Sequence, residues 1–200
     1  MGEAEKQQIG PSGEVMVGEW PAVLIDQLER RRDCRRKAEL LGKMTAALGM
    51  ALRCIGHGLK VAVVQFIKGA IDTAEERALK SFGGRVTFLR TGEGYTWETQ
   101  DRERDTKFAQ QAWGTVCGLL QDPSYAMVIL DEFNIALQHD YVRLEDVLPA
   151  LRGRPPMQHV VITGRGAKEA LIEEADLVTE MKQVKHPFRK GVKAQQGVEF

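Results

Sequence analysis

The sequence contains few cysteines: Cys34, Cys54 and Cys117 are the only three in 200 residues, and no two of them form a CxxC pair. This absence excludes a zinc site or a redox couple built on closely paired thiols. An odd number of widely spaced cysteines is typical of reduced thiols rather than of a disulfide framework. We therefore expect a cytoplasmic protein.

An excess of one charge and a long apolar run are lacking as well. The 28 basic side chains balance 28 acidic ones, whereas a nucleic-acid-binding domain is usually basic as a whole. No run approaches the ~18 apolar residues that a membrane span needs. Residues 1–6 lack the basic start and apolar stretch of a signal peptide. We therefore expect neither a nucleic-acid partner nor a membrane partner.

The composition, 43% apolar over 200 residues, suits one domain with a sizeable core. Residues 1–30 have no clear hydrophobic period, and we treat residues 1–41 as an atypical N-terminal segment of uncertain order. Residues 42–200 have a regular pattern and are predicted to form a single domain.

Apolar strands alternate with helical stretches in that domain. Strands are predicted at residues 61–67, 85–90, 125–130, 159–163 and 177–181, and helices from Gly42 to Ile55 and near 72–80, 108–120, 144–151 and 167–175. Such alternation is typical of βαβ units. We predict an α/β fold with a mainly parallel sheet flanked by helices, and ligands beyond the carboxyl ends of the strands.

The strand at residues 127–132, MVILDE, ends in two adjacent carboxylates, Asp131 and Glu132. In P-loop proteins a carboxylate at this position holds the magnesium ion that neutralises the phosphate chain. An alternative is purely structural: Asp131 would cap a helix whose first turn contains Glu132.

Gly42 and Lys43 stand at a predicted helix start, where a phosphate loop presents backbone N–H groups and a lysine to an anion. However, Met44 occupies the position of the expected metal-binding hydroxyl, and residues 38–41 contain no glycine. Residues 33–37 are nearly all charged, so no strand is expected before the loop. These residues alone do not favour a working phosphate loop.

Tyr95 and Trp97 lie in a polar, glycine-bearing loop, where aromatic rings either join the core or form a stacking wall for a flat ligand. Arg165, in the segment TGRG that follows a strand, either presents its guanidinium to an anion or belongs only to a tight turn.

Read together, five segments resemble the ATP:corrinoid adenosyltransferases, which act on cob(I)alamin or cob(I)yrinic acid a,c-diamide. The segments are VAVVQFIKG at 61–69, GEGYTWETQ at 92–100, MVILDE at 127–132, VITGRG at 161–166 and VKHPFRKGVKAQQG at 184–197. They occur in the order of the family and at about its spacing. As a set they are far more specific than any single P-loop pattern.

The resemblance implies a RecA-like P-loop fold, a homodimer, and transfer of the 5′-deoxyadenosyl group of ATP to a reduced corrinoid with release of triphosphate. It also implies Mg²⁺ or Mn²⁺ as the metal and a flavodoxin-type reductase as a partner. By position, Gly42, Lys43 and Thr45 would bind ATP, and Glu132 or Asp131 would bind the metal.

The same resemblance implies a corrinoid site at the aromatic loop. Tyr95 and Trp97 match the aromatic pair that packs beneath the corrin ring and replaces its lower axial ligand. Arg165 lies in a matching segment and is assigned as a further corrinoid contact. A four-coordinate Co(II) centre is easier to reduce to Co(I), which is the purpose of removing that ligand.

One segment departs from the family pattern. Residues 38–45 read AELLGKMT, where the family would have a loop of the kind GNGKGKTT after an apolar strand. Either a disturbed reading frame or a divergent loop would produce this change. Three hypotheses follow: an adenosyltransferase with impaired phosphate binding, a corrinoid-binding homologue that has lost catalysis, or a generic P-loop ATPase or kinase. The third is disfavoured because Met44 and the missing glycines weaken the phosphate loop on which it depends.

Overall fold

A parallel sheet of six strands forms the centre of this computed structural model, which describes residues 23–26, 36–66, 73–90, 102–181, 184, 191–193 and 196–197. The strands are β1 Val23–Asp26, β2 Lys60–Gln65, β3 Val86–Arg90, β4 Tyr125–Asp131, β5 His159–Thr163 and β6 Leu177–Glu180. Their order is β3-β2-β4-β5-β1-β6, and every neighbouring pair is parallel. The predicted fold class, a mainly parallel α/β sheet of the RecA-like P-loop type, is confirmed.

Helices connect the strands and cover both faces of the sheet. The described helices are α1 Arg36–Gly56, α2 Ala74–Lys80, α3 Arg102–Gln121, α4 Phe133–Gln138, α5 Leu144–Arg152 and α6 Glu169–Glu174, with a short 3₁₀ turn at Gly83–Arg85. The predicted helices and strands after residue 56 all occur, with ends shifted by a few residues. Helix α4 was expected only under the structural alternative for Asp131 and Glu132.

Two apolar cores lie on opposite faces of the sheet. Alternate residues of β2 and β4 divide between them because successive side chains of a strand point to opposite faces. Val63 and Ile129 pack with α1 and α2, whereas Val64 and Leu130 pack with α3 and α5. Burial on both faces explains why these strands read as continuous apolar runs. Each such side chain contributes roughly 1.5–3 kcal/mol of hydrophobic stabilisation.

The start of α1 differs from the prediction. The helix begins at Arg36 rather than at Gly42, because Ala38, Glu39, Leu40 and Leu41 are good helix formers and contain no glycine to interrupt them. Residues deep in a helix donate their backbone N–H groups to carbonyls four residues earlier. The N–H groups of residues 42 and 43 are therefore used inside α1.

The expectation that no strand precedes α1 was wrong. Strand β1 lies between β5 and β6, and Val23 pairs with Val161 on one side and Leu177 on the other. The strand is separated from α1 by residues 27–35, so the charged stretch just before the helix gave no sign of it. Residues 23–26 belong to the sheet, while the proposed division of the chain at residue 42 stays a prediction.

Among the described residues, no helix is both long enough and apolar enough to cross a membrane.

Candidate functional site

Three neighbouring strands end in buried polar residues at the carboxyl edge of the sheet. Gln65 ends β2, Asp131 ends β4 and Thr163 ends β5, and each is at most 3% exposed. The amide Nε2 of Gln65 donates to Oδ2 of Asp131 at 3.0 Å, and the hydroxyl of Thr163 donates to Oδ1 at 2.8 Å. Both carboxylate oxygens of Asp131 are therefore held by neutral donors on the two neighbouring strands.

Glu132 follows directly and is buried as well, with 4% of its surface exposed. Its backbone is left-handed, with φ 58° and ψ 21°, and its N–H donates to the hydroxyl of Thr163 at 3.0 Å. Glu132, not Asp131, stands at the N-cap of α4, and its side chain makes no capping hydrogen bond. The structural alternative for Asp131, a helix cap, is therefore wrong.

Helix α1 reaches this edge through Lys43 and Met44. Lys43 is 1% exposed, and its ammonium donates to the backbone carbonyl of Gly164. The sulfur of Met44 accepts from Nε2 of Gln65 at 3.4 Å. Thr45, the predicted replacement for the metal-binding hydroxyl, is exposed. Helix α1 thus brings Lys43 to the acidic edge, by which we mean Asp131 and Glu132. Because residue 44 is methionine, it supplies no hydroxyl there.

A glycine turn after β5 packs closely against α4. Gly164 has φ 142°, and a Cβ built on it would lie 2.6 Å from Cβ of Asn134. Gly166 has φ 64°, and its carbonyl accepts from the side-chain amide of Gln138 at 3.1 Å. Arg165, between the two glycines, is half-buried. The turn therefore fixes the backbone position of Arg165, two residues after Thr163.

Sequence reasoning identified the carboxylates but missed Gln65, Thr163 and Asn134. A single polar residue that ends an otherwise apolar strand is a usable signal for the first two. Asn134 is fully buried, and neither of its side-chain polar atoms has a hydrogen-bond partner among the residues that the structure describes. No sequence pattern marked it.

Comparison with known proteins gives the context for this geometry. Residues 39–200 match the model of a protein family described as ATP:corrinoid adenosyltransferase BtuR/CobO/CobP. The chain belongs to this family. It is 55% identical to the corrinoid adenosyltransferase of Pseudomonas aeruginosa over 184 residues, which cover 90% of this chain and 91% of that protein.

Two further corrinoid adenosyltransferases agree. The chain is 56% identical over 161 residues to that of a Sinorhizobium species, covering 80% of this chain and 75% of the relative. It is 46% identical over 159 residues to that of Escherichia coli K12, covering 80% of each. The predicted membership of the corrinoid adenosyltransferase family is thus confirmed.

The match to the Pseudomonas protein extends into the N-terminal segment. It covers 90% of 200 residues, or 180, whereas residues 42–200 number 159. At least 21 of the first 41 residues are therefore included. This agrees with the presence of β1 in the sheet, because a strand needs a sequence that can pair with β5 and β6.

Asp131, Glu132 and Thr163 form an oxygen-rich set of the kind that Mg²⁺ and Mn²⁺ prefer in proteins. Within the described ranges, no group of three or more histidine, cysteine, aspartate or glutamate side chains forms a complete metal site. A partial set of one or two carboxylates is what a magnesium ion bound through substrate phosphates requires. The residues fit such an ion.

Tyr95 and Trp97 lie outside the described residues. Their corrinoid contacts, and that of Arg165, remain predictions.

Proposed function

We propose that this protein transfers the 5′-deoxyadenosyl group of ATP to the Co(I) centre of a corrinoid and releases triphosphate. The observation that carries the proposal is the buried acidic edge of Asp131 and Glu132 in a chain 55% identical to a corrinoid adenosyltransferase. A carboxyl edge of a parallel sheet is also where α/β proteins bind nucleotides.

Cobalt in its +1 state is the nucleophile of the proposed reaction. It gives an electron pair to C5′ of the ribose, so that the cobalt–carbon bond forms and the C5′–O bond breaks. The bonding pair of that C–O bond leaves with triphosphate, and cobalt is formally oxidised to +3. No proton leaves carbon, so the chain needs no general base, and its contribution is positioning and electrostatics.

Charge on the leaving triphosphate is the main electrostatic demand. A Mg²⁺ or Mn²⁺ ion bound with the triphosphate would neutralise part of that charge. Glu132 or Asp131 would hold the ion. Lys43 would bind the same phosphates after its ammonium leaves the carbonyl of Gly164. Gly42 and Thr45 complete the proposed ATP contacts.

The corrinoid side of the proposal involves Tyr95 and Trp97 beneath the ring, with Arg165 as a further contact. The proposal includes a homodimer, a flavodoxin-type reductase that supplies electrons to cobalt, and a cytoplasmic location. These elements rest on the family and on the residues that match its motifs.

The test is direct. The purified protein, given ATP, Mg²⁺ and chemically reduced cobalamin, should form a light-sensitive cobalt–carbon bond that is seen in the absorption spectrum. Glu132→Gln should lower the rate at least tenfold, whereas Glu103→Gln, an exposed change on α3, should not. Absence of product over a wide range of ATP concentrations would refute the catalytic proposal.

A second candidate, a corrinoid-binding protein without catalysis, is favoured by one observation. Residues 38–43 are helical, and the ammonium of Lys43 is engaged by Gly164, so this region does not have the form of a phosphate loop. Titration with Co(II) corrinoid separates the two candidates. A spectral change on binding, with no adenosylated product after reduction and addition of ATP, selects the second.

Repair of the loop tests whether phosphate binding limits activity. Ala38→Gly, Leu40→Gly and Met44→Thr together should raise turnover by orders of magnitude, because they restore the backbone freedom and the hydroxyl that a phosphate loop uses. Met50→Thr, the same side-chain change further along α1, should give no gain. Little gain from the triple variant would locate the defect outside these positions.

A further inference from the structure

Thr163, the last residue of β5, joins the two carboxyl-edge residues that follow one another in the chain. Its hydroxyl donates to Oδ1 of Asp131 at 2.8 Å and accepts from the backbone N–H of Glu132 at 3.0 Å. We propose that Thr163 is a positioning residue that sets the direction of the Glu132 carboxylate. The inference rests on the proposed function, in which that carboxylate holds the cation of the metal–ATP complex.

The direction of both hydrogen bonds follows from the chemistry of the groups. An ionised carboxylate can only accept, and a hydroxyl has a single proton. Because that proton points to Asp131, the lone pairs of the Thr163 oxygen remain for the N–H of Glu132. Asp131 thus orients the hydroxyl, and the hydroxyl in turn orients the Glu132 peptide. Thr163 is fully buried, so water does not compete for these bonds.

Glu132 needs such a restraint because its backbone is left-handed, with φ 58°. A residue with a Cβ rarely adopts this region because the Cβ crowds the following carbonyl oxygen, and it stays there only where its surroundings hold it. The hydrogen bond from its N–H to Thr163 is one restraint, and the start of α4 at the next residue is another. Loss of the first would let the peptide rotate and the side chain swing away.

The two carboxylates, Asp131 and Glu132, therefore have different proposed roles. Both oxygens of Asp131 accept from neutral donors, Thr163 and Gln65, at 2.8 and 3.0 Å. Asp131 would therefore anchor the edge, and Glu132 would be the carboxylate that holds the cation. The sequence alone left the choice between them open.

The decisive variant is Thr163→Val, which keeps the shape of the side chain and removes the hydroxyl. Thr163→Ser keeps the hydroxyl, and Thr179→Val makes the same change as the test at an exposed position of β6. In Thr163→Val the amide of Glu132 should exchange its hydrogen at least tenfold faster, measured by NMR. The serine variant and the Thr179 variant should stay within twofold of the parent protein.

Cation binding provides the second measurement. With ATP and Mn²⁺ but no corrinoid, calorimetric titration of the preformed Mn²⁺–ATP complex into the protein gives its dissociation constant without any turnover. We expect it to rise about tenfold in Thr163→Val and less than twofold in Thr163→Ser. In turnover, KM for the metal–ATP complex should rise more than kcat falls. Urea unfolding of each variant separates these effects from a general loss of stability.

Each outcome has a distinct meaning. Unchanged exchange at Glu132, or faster exchange with unchanged Mn²⁺ binding, overturns the positioning role. If the parent protein binds no Mn²⁺ with ATP, the proposed function fails, and the exchange data still decide whether Thr163 restrains Glu132. If Thr163→Val does not fold, Thr163→Cys takes its place. Its weaker hydrogen bonding should give an intermediate exchange rate, and a rate equal to that of Thr163→Ser would contradict the inference.

Discussion

Replacement of Gly164 by alanine should destabilise the protein by about 3 kcal/mol. Gly164 follows β5 with φ 142°, a conformation that side chains rarely adopt. An added Cβ would lie 2.6 Å from Cβ of Asn134 and 2.9 Å from its backbone nitrogen. Backbone atoms cannot turn away as a flexible side chain can, so β5 or α4 must shift to accept the methyl group.

Three contributions set the magnitude. The unfavourable backbone conformation costs roughly 1–3 kcal/mol, and overpacking at such distances adds roughly 1–3 kcal/mol. The lower entropy of the unfolded alanine variant offsets about 0.4–1 kcal/mol. The sum, about 3 kcal/mol, is a large part of the 5–15 kcal/mol that typically separates folded and unfolded domains. The carbonyl that Lys43 contacts should move as well.

Urea unfolding followed by circular dichroism measures the effect. The comparison holds if the slope of unfolding free energy against urea concentration is the same in both proteins. Gly118→Ala is the matched control. Gly118 lies in α3, and an added Cβ would meet nothing within 4 Å. Alanine there should raise the free energy of unfolding by roughly 0.5–1 kcal/mol, because glycine is the weaker helix former. A Gly164→Ala variant as stable as the parent would refute the reasoning.

Two other substitutions test buried charge. The side chain of Glu76 is 2% exposed and pairs with Lys80 at 2.6 Å and with Arg90 at 3.0 Å. Glu76→Gln should lower the free energy of unfolding in urea by about 2 kcal/mol, because it leaves a partly buried arginine without its carboxylate. Glu75→Gln in the same helix should change stability by less than about 0.5 kcal/mol, and equal effects would contradict the assignment. Burial, and secondarily the charge of Arg154, lowers the pKa of His159 from its ordinary value of 6.5. The folded state therefore binds fewer protons than the unfolded state below pH 6.5, and stability falls as the pH drops through that window. His159→Gln should flatten the dependence of unfolding free energy on pH between about 7 and 5. A slope equal to that of the parent would show that His159 does not contribute to this dependence.

The strands with the clearest signal in the sequence are those buried on both faces. Residues 61–65 and 127–131 read as continuous apolar runs because each alternate side chain enters one of the two cores. Strand β1, which was not predicted, has four residues. Its place depends on pairing with residues about 140 to 150 positions later in the chain, which local sequence cannot reveal. Helix α4 has six residues, most of them buried, and so lacks the polar face that marks a surface helix.

The candidate site could be predicted only in part for a related reason. Asp131 and Glu132 are adjacent in sequence, so their joint position at a strand end was visible. Gln65 and Thr163 join them through the strand order, which places β2 and β5 on either side of β4. The absence of glycine at residues 38–41 was visible too, but its structural result was not: good helix formers there extend α1 backwards over the expected loop.

The acidic edge and the proposed phosphate contacts depend on different parts of the fold. Hydrogen bonds among Gln65, Asp131 and Thr163 form between paired strands and do not require α1 to begin at any particular residue. The ammonium of Lys43 is held by a neutral carbonyl, and hydrogen bonds between two charged partners are roughly twice as strong as neutral ones. A phosphate group should therefore draw Lys43 away from Gly164. The backbone N–H groups of residues 42 and 43, already used in α1, have no such alternative unless the helix unwinds. Weak phosphate binding would then arise from the missing glycines rather than from the lysine.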